Sequence, residues 1–376
     1  MSKMQKKIIK IIHVIINLES GGAERHLLDV ISHSNRSKFE HQVIVLKEAG
    51  LLQVEFKKKK IKTYILGQKT KASLSLLLKV TKILKREQPQ IVMTHLFGGH
   101  LYGRLAAKLA GIKHITAVED VIHQRETKIR LFIKKHILNK IVDKIASMSF
   151  EVKDWLIKHE NIKSEKIKVI HNGINLGRFK DKKPYLKVLT DKKEIIIGTV
   201  AILKRQKGLR YLIEAFNSLK NDFPNLRLWL VGGARQGLVD NEEEYLKNQV
   251  KKYKLSQKVV FFGDRSDIPD LLNKMDIFVL PSLFEGFGIV ILEAWASGLP
   301  VIASKLRCIE EYATNQKNIL FTEPKDPKDL QAKIQRLIQN DELRKKMTKN
   351  GNLEVKKFDI KKTAQKYDQF FIKLLT

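Results

Sequence analysis

Short apolar runs of strand length, each trailed by a helical pattern, recur along this 376-residue chain in two separate series. The first series opens with residues 8–18, passes into Glu19-Ser20-Gly21-Gly22 and continues as a helix over 23–31. Further strands are expected at 42–46, 91–94 and 114–118, with helices over 74–86 and 101–110 between them. The second series opens with Ile195-Ile196-Ile197-Gly198-Thr199-Val200, a basic loop and a helix over 209–219, followed by strands at 226–231, 259–262 and 277–280. Runs that are apolar throughout belong to strands buried on both faces, the condition of a parallel sheet covered by crossover helices. The expected fold is therefore α/β, with two doubly wound parallel-sheet domains, and a chain of this length can bury two such cores. The boundaries read as a first domain over 1–175, a polar, lysine-rich linker over 176–194 that contains Pro184, and a second domain over 195–358. A last helix over 359–376 has a choice of either domain to pack on, return to the first included. Two α/β domains facing one another leave a cleft, which is a favoured place for ligands.

The most informative segment is LPSLFEGFGIVILEAWASGLPVI, residues 280–302. The apolar strand before it is stopped by Pro281-Ser282, a glycine-flanked turn follows, and a helix is expected from about 289 to 297. Glu285 and Glu293 are eight residues apart. If both lay on the helix they would point roughly 80° apart, so Glu285 is assigned to the loop and Glu293 to the second helical turn. Such a loop lies outside the carboxyl end of a strand, beside the unpaired N–H groups of a helix start, where open α/β sheets bind anions and nucleotides. Gly286 and Gly288 let a ligand approach the backbone. Buried carboxylates need donors, and sugar or ribose hydroxyls are suitable ones, each charge-assisted bond contributing roughly 1.5–3 kcal/mol. The plainer reading, a solvated loop glutamate and a locally paired helix glutamate, fits either residue alone better than it fits the pair in this setting.

Composition narrows the partners. The formal net charge is +32, from 72 Lys and Arg against 40 Asp and Glu, which suits an anionic partner: nucleic acid, a lipid surface or phosphorylated substrates. Genomic base composition is a second source of lysine, although it does not account for the shortage of acids. The single cysteine, Cys308, excludes an internal disulfide and a cysteine-based zinc cluster, and a reducing cytosol fits. Lys3, Lys6 and Lys7 before the first apolar run imitate a signal peptide, but Lys10 and His13 interrupt the run and no small-residue cleavage site follows. No apolar stretch has the length of a membrane span, so neither export nor spanning is expected. Over 128–144, Ile129, Phe132, Ile133, Ile137, Ile141 and, just beyond, Ile145 recur at helical spacing among Arg130, Lys134, Lys135 and Lys144. Either this helix packs its apolar face into its own domain and solvates its lysines, or it rests on an anionic leaflet. His95 and His100, on either side of Gly98-Gly99, are candidates for the acceptor side.

Taken together, Lys207-Gly208, Leu230-Val231-Gly232-Gly233, Phe262-Gly263, the run from Asp276 to Ser282, and Glu285 through Glu293 closely resemble family 4 glycosyltransferases. In the first half the resemblance rests on Gly21-Gly22-Ala23-Glu24-Arg25, Tyr102-Gly103-Arg104-Leu105-Ala106 and His171-Asn172-Gly173-Ile174. The resemblance implies the GT-B architecture, two Rossmann-like domains facing across a cleft. It implies transfer of a sugar, of hexosyl type, from a nucleoside-diphosphate donor with retention of configuration and without a bound metal or cofactor. Glu293 would hold the donor ribose, while Glu285 and the backbone of Gly286, Phe287, Gly288 and Ile289 would meet the donor sugar and diphosphate. Lys207 would bind the diphosphate and stabilise the departing charge, since a metal-free site depends on fixed cations. Gly21 and Gly22 would approach the diphosphate or acceptor, and Arg265 with Asp267 would border the base.

The chain also departs from the family pattern. Ile202 stands where an Arg is common, with Lys204 and Arg205 as substitute charges on the donor, and Lys is not a geometric equivalent of a bidentate Arg. Glu119-Asp120 stands where a His is typical, with His123 just beyond, so Asp120 and His123 join Glu285 and Lys207 as candidates for the catalytic step. Asn175 replaces a common Asp, and Lys305-Leu306-Arg307-Cys308 replaces a glycine-rich segment. The expectation is a cytoplasmic glycosyltransferase at the inner face of the plasma membrane. Its acceptor would be an envelope polysaccharide, lipopolysaccharide or lipid-linked glycan, and no specific nucleic acid is expected. The alternatives are a GT-B phosphorylase or epimerase, and a basic membrane- or nucleic-acid-binding module without catalysis. Oligomeric state has no signal in the sequence.

Overall fold

The computed structural model describes residues 8–19, 21–68, 73–119, 127–179, 193–234 and 241–376. The chain divides into two compact units, Met1–Gly173 together with Ile360–Thr376, and Ile174–Asp359. In the first unit, strands β1 (Ile9–Ile15), β2 (Phe39–Val45), β3 (Lys62–Ile65), β4 (Ile91–His95), β5 (His114–Glu119), β6 (Lys144–Ser147) and β7 (Ile167–Val169) form one sheet. Its order is β3-β2-β1-β4-β5-β6-β7, with every pairing parallel. In the second, β8 (Ile195–Val200), β9 (Leu226–Val231), β10 (Val259–Gly263), β11 (Ile277–Leu280), β12 (Val301–Ser304) and β13 (Leu320–Thr322) are also all parallel. Their order is β10-β9-β8-β11-β12-β13. Each unit is thus doubly wound, and the strand order reverses between β1 and β4 and between β8 and β11. Those reversals are the points at which such sheets hold ligands, beyond the carboxyl ends of the strands.

The apolar runs form strands because both faces of each sheet are covered. Along β1, Ile11 faces a cluster with Val30, Phe39, Met93 and Phe371, whereas Ile12 and Val14 face Ile44, Val80, Leu84 and Ala106 on the other side. The last helix, Ile360–Leu375, buries Ile360, Ala364, Tyr367, Phe371 and Leu374 at three- and four-residue spacing against the first unit. In the second unit the helices Leu209–Leu219 and Pro327–Gln339 contribute Leu212, Phe216, Ile334 and Leu337 to a core with Ile197, Leu228 and Val279.

Several sequence expectations change. Strand β1 ends at Ile15 rather than at 18, and the helix expected over 101–110 begins at Leu96, directly after β4. Strands β3, β6, β7, β12 and β13 are absent from the sequence expectations, each being three or four residues long with polar residues among them, which leaves too little pattern to register. Residues 176–179, expected in the linker, form the short turn Leu176–Phe179 with Phe179 buried, and 180–192 lie outside the described residues.

The amphipathic segment over 128–144 is corrected most. It is not one regular helix but Lys128–Ile133, a π-helical turn Lys134–Leu138, and Asn139–Ile141, and Ile145 belongs to β6. Lys134 is buried at 1% exposure instead of solvated, while Ile129, Phe132 and Ile137 stay 73%, 60% and 42% exposed. The apolar positions therefore divide: Ile129, Phe132 and Ile137 lie outside the core, while Ile141 packs against it and Ile145 is buried.

Burial depresses the proton affinity of several histidines in the first unit: His26 and His41 to about 4, and His95 to about 3. Unfolded, each would titrate near 6.5, so on acidification the unfolded chain takes up protons that the folded one refuses. The stability they contribute is complete above pH 6.5 and is lost as pH falls toward 4. Burial raises Glu160 and Asp368, which act in the opposite sense lower in the range. Denaturant unfolding followed between pH 7.5 and 5 is expected to show a decline approaching about 1.4 kcal/mol per pH unit per histidine, and a flat profile would contradict this.

Candidate active site

Two loops meet at the strand-order reversal of the second unit. After β8 the chain passes through a tight turn, Arg205–Lys207, and enters the helix Leu209–Leu219 through Gly208. Gly208 is left-handed, at φ 64°, and a Cβ there would lie 1.9 Å from the carbonyl oxygen of Pro281. Only glycine allows that contact, and it brings the β8 loop onto the β11 loop. Two hydrogen bonds join them: Leu283 N donates to Gln206 O at 2.7 Å, and Gln206 Nε2 donates to Phe284 O at 2.9 Å.

The consequence is that Lys207 reaches Glu285. Lys207 Nζ and Ser282 Oγ each donate to Glu285 Oε1 at 2.6 Å. The carboxylate is buried, 7% exposed, and its charge is answered by the ammonium and the hydroxyl. Beyond it, Gly288 is left-handed at φ 80° and caps the helix Ile289–Ala296, whose first backbone N–H groups open beside this cluster. Tyr312 Oη donates to Phe287 O at 2.7 Å, and its ring lies 4.8 Å from that of Phe287, which fixes the turn before the helix. Burial, with the charges of Cys308 and Glu285, pushes the Tyr312 hydroxyl well above its ordinary range, so it serves as a donor. Glu293 lies half-buried on the second turn of the same helix.

A fixed ammonium, helix-start amides and two carboxylates around one turn suit a ligand that is anionic at one place and rich in hydroxyls at another. Lys204, half-buried, and Arg205, exposed, lie in the β8 loop beside Lys207. Arg265 is elsewhere. It follows β10, the edge strand two places from β8, and forms an exposed bidentate pair with Asp267 at 2.8 and 2.6 Å. Gly21 and Gly22 open the helix Gly22–His33 after β1 in the first unit. Asp120 and His123 lie outside the described residues.

Comparison with known proteins agrees with this arrangement. Residues 20–178 match the model of Glycosyltransferase Family 4, and residues 182–354 match Glycosyl transferases group 1. The chain is 30% identical over 316 residues to the UDP-Gal:alpha-D-GlcNAc-diphosphoundecaprenol alpha-1,3-galactosyltransferase of Escherichia coli, covering 80% of this chain and 79% of that one. The chain belongs to glycosyltransferase family 4. It is also 27% identical over 314 residues to the N,N'-diacetylbacillosaminyl-diphospho-undecaprenol alpha-1,3-N-acetylgalactosaminyltransferase of Campylobacter jejuni, covering 79% and 80% of the two chains. Among solved structures, Anabaena HepE in complex with UDP-glucose superposes with a TM-score of 0.86 at 21% identity, over 97% of this chain and 100% of that one. The fold is GT-B.

Within this glycosyltransferase, some participants escaped the sequence reading. Ser282 is visible in the sequence only as part of a motif and Gln206 not at all; Ser282 reaches Glu285 within one loop, whereas the bond of Gln206 to Phe284 depends on two loops 78 residues apart meeting. The first unit holds a buried ionic cluster at the end of β5. Arg104 Nη2 donates to Glu119 Oε1 at 3.0 Å, and Lys134 Nζ lies 3.5 Å from Glu119 Oε2 while also pairing with Glu160. Asn139 links the two halves, accepting from Arg104 at 3.2 Å and donating to Glu160 at 3.1 Å. His100, an acceptor-side candidate, is turned inward to Thr94 and Glu119 at 2.9 and 3.4 Å. Two carboxylates answer two cations there, the balance that a dry site requires.

Gly208→Ala is expected to force the two loops of the second unit apart, at a cost of about 2 kcal/mol or more. Thermal denaturation beside an exposed-surface control such as Lys345→Ala checks it, and equal melting temperatures would refute the argument.

Proposed function

We propose that this glycosyltransferase moves a sugar from a nucleoside-diphosphate donor to a hydroxyl of a lipid-linked or other envelope glycan, with retention of configuration and without a metal ion. The observation that carries the reading is the Lys207–Glu285–Ser282 cluster beside the start of the helix Ile289–Ala296. The donor diphosphate would take the N–H groups at Gly288 and Ile289 and draw Lys207 from its pair with Glu285, with Lys204 and Arg205 adding positive charge. Glu285 would then accept from hydroxyls of the transferred sugar, and Glu293 from the ribose. As the bond to the diphosphate breaks, negative charge grows on the departing oxygen, where a positioned cation acts without reorganising. Gly21 and Gly22 are assigned to the diphosphate or the acceptor, and Asp120 and His123 to the catalytic step. The names of the relatives from Escherichia coli and Campylobacter jejuni, both transferases of undecaprenol-diphosphate-linked sugars, support this class of acceptor.

An acceptor of that kind lies in a bilayer, and the first unit has a surface suited to one. Ile129, Phe132 and Ile137 project into solvent among Lys128, Arg130, Lys135 and Lys140. Apolar side chains can enter the acyl boundary while each nearby cation contributes about 1 kcal/mol against anionic headgroups. Among the described residues no helix is long and apolar enough to cross a membrane. The proposed location is therefore peripheral, on the cytoplasmic leaflet.

Three outcomes test the reading. Glu293→Ala is expected to weaken donor binding about tenfold or more in titrations with uridine-diphosphate sugars, and Lys207→Ala to slow single turnover on the order of a hundredfold. Unchanged values for both would remove the site. Chelation by EDTA is expected to leave turnover intact, and its loss on chelation would contradict the metal-free assignment. Finally, Ile129→Glu with Phe132→Glu is expected to abolish sedimentation with phosphatidylglycerol vesicles while donor binding persists, and equal sedimentation would rule out this surface.

A further inference from the structure

The first unit carries a groove at one edge of its sheet that neither the donor loops nor the exposed segment 128–141 uses. Strand β7 is the edge strand there, pairing with β6. The last helix, Ile360–Leu375, lies over the same sheet, and the space between it and β7 is a cavity of about 550 Å³. The helix starts beside His171, whose carbonyl oxygen accepts from Thr363 Oγ1 at 3.3 Å. Its end, Leu375, lies with Gln90 and His114 at the amino ends of β4 and β5, so the helix runs against the direction of the strands. The cavity accordingly extends along β7, from Lys144 and Glu165 near the amino ends of the edge strands to Phe150 and His171 past their carboxyl ends. Residues 167–171 give it a length of roughly 15 Å.

Its floor is apolar and its rim is cationic. Ile170, Phe370 and Leu374 on the floor belong to one buried cluster with Ala146. Lys168 stands opposite Ala146 in the sheet, and residues paired in this way project from the same face, so Lys168 leaves β7 on the side of the last helix. Lys366 and Lys373 share one face of that helix, about 10 Å apart along its axis. Lys144 completes the rim, its Nζ donating to Glu165 O at 2.9 Å. Among the described residues the lining thus sets four lysines against one acid, Glu165. Lys168, Lys366 and Lys373 are exposed and have no ion pair among the described residues. At the far end Phe150 keeps 51% of its surface in solvent, with its ring 5.8 Å from that of His171.

Charge and shape decide between occupants. A second copy of this chain would bring a net charge of +32 toward the same lysines. An acidic peptide adding to the sheet would find in β7 an edge of three residues, too few backbone partners for strand addition. The volume is that of a small-molecule pocket, but a sugar or nucleotide needs polar groups where this floor offers Ile170, Phe370 and Leu374. A molecule with an apolar tail and an anionic head is matched on both counts, because lysine stems cover apolar surface while their ammonium groups stay at its rim.

We infer that the groove binds a phosphate-headed lipid, with one chain laid along Ile170, Phe370 and Leu374 and the phosphate answered by the lysine rim. The inference goes beyond the donor and acceptor proposed above and does not depend on them. The site shares no residue with the donor loops, which belong to the second unit, or with the segment 128–141. That segment would meet the surface of a leaflet, whereas the groove would hold a single lipid molecule and fasten the first unit to it.

The test uses the full chain and dodecyl phosphate below its micellar concentration, followed by titration calorimetry. Saturable binding at one site is expected, weakened about tenfold or more when Lys168→Glu, Lys366→Glu and Lys373→Glu are combined. A control that loses the same charge in the second unit, Lys317→Glu with Lys346→Glu and Lys349→Glu, is expected to bind like the parent. Phe150→Glu, at an exposed position, is expected to weaken binding without lowering the melting temperature. Ile129→Glu with Phe132→Glu is expected to leave it unchanged, so failure of the bilayer-facing segment and failure of the groove are told apart. Inorganic phosphate binding as tightly as dodecyl phosphate would make the groove a plain anion site, and dodecyl maltoside binding as tightly would make it a plain apolar slot. Either result, tighter binding of a glutamate-rich peptide, equal weakening in the charge control, or the absence of saturable binding would overturn the inference.

Discussion

A carboxylate withdrawn from water persists only if its charge is answered, and the candidate donor site is organised around that requirement at Glu285. Ser282 answers it from within the same loop, and Lys207 comes close because Gly208 permits the β8 loop to touch the carbonyl of Pro281. The same contact sets the start of the helix Ile289–Ala296 beside the ammonium. A diphosphate bound as proposed would meet a cation already held in place and amides already oriented, which reduces the ordering cost of binding. Tyr312 completes the arrangement by bracing the backbone at Phe287.

The first unit solves the burial of polar groups in two ways. Around Glu119, opposite charges are matched: Arg104 and Lys134 face Glu119 and Glu160, and the π-helical turn from Lys134 to Leu138 is the local distortion that brings Lys134 inward. Wide turns of this type are frequent at functional places. Around His13, neutral rings are matched donor to acceptor instead: His95, His13, His41 and Ser34 are bonded in series, and the only carboxylate in the series, Asp368, is at the half-exposed end. Charge balance holds the first construction together and directionality holds the second. The same segment that sends Lys134 inward leaves Ile129, Phe132 and Ile137 outside, so one short stretch contributes both to a buried network and to an exposed apolar face.

What was legible in the sequence was whatever local pattern controls. The long apolar runs at β1, β8 and β11 and the glycine turns after them announced parallel sheets, since a fully buried strand has no polar face to conceal its identity. The assignment of Glu285 to a loop and Glu293 to a helical turn followed from helical periodicity, and the chain has that local structure. Strands β3, β6 and β7 mix polar residues into only three or four positions, unlike the wholly apolar β11, and leave too little pattern to read. The run of isoleucines at 129–145 misled for a related reason, because helical spacing is preserved across a π turn only approximately and continues by accident into a strand.

By itself, the sequence determined the fold class, the places where loops follow strands, and membership of a sugar-transferring family, because these depend on periodicity, on glycine positions and on contiguous motifs. Only the tertiary structure decided which polar residues meet. Lys207 with Glu285, Arg104 with Glu119, Lys134 with Glu160 and Ser34 with Asp368 are separated by 78, 15, 26 and 334 residues. A hydrogen bond extends about 3 Å, so its existence is settled by packing and not by order along the chain.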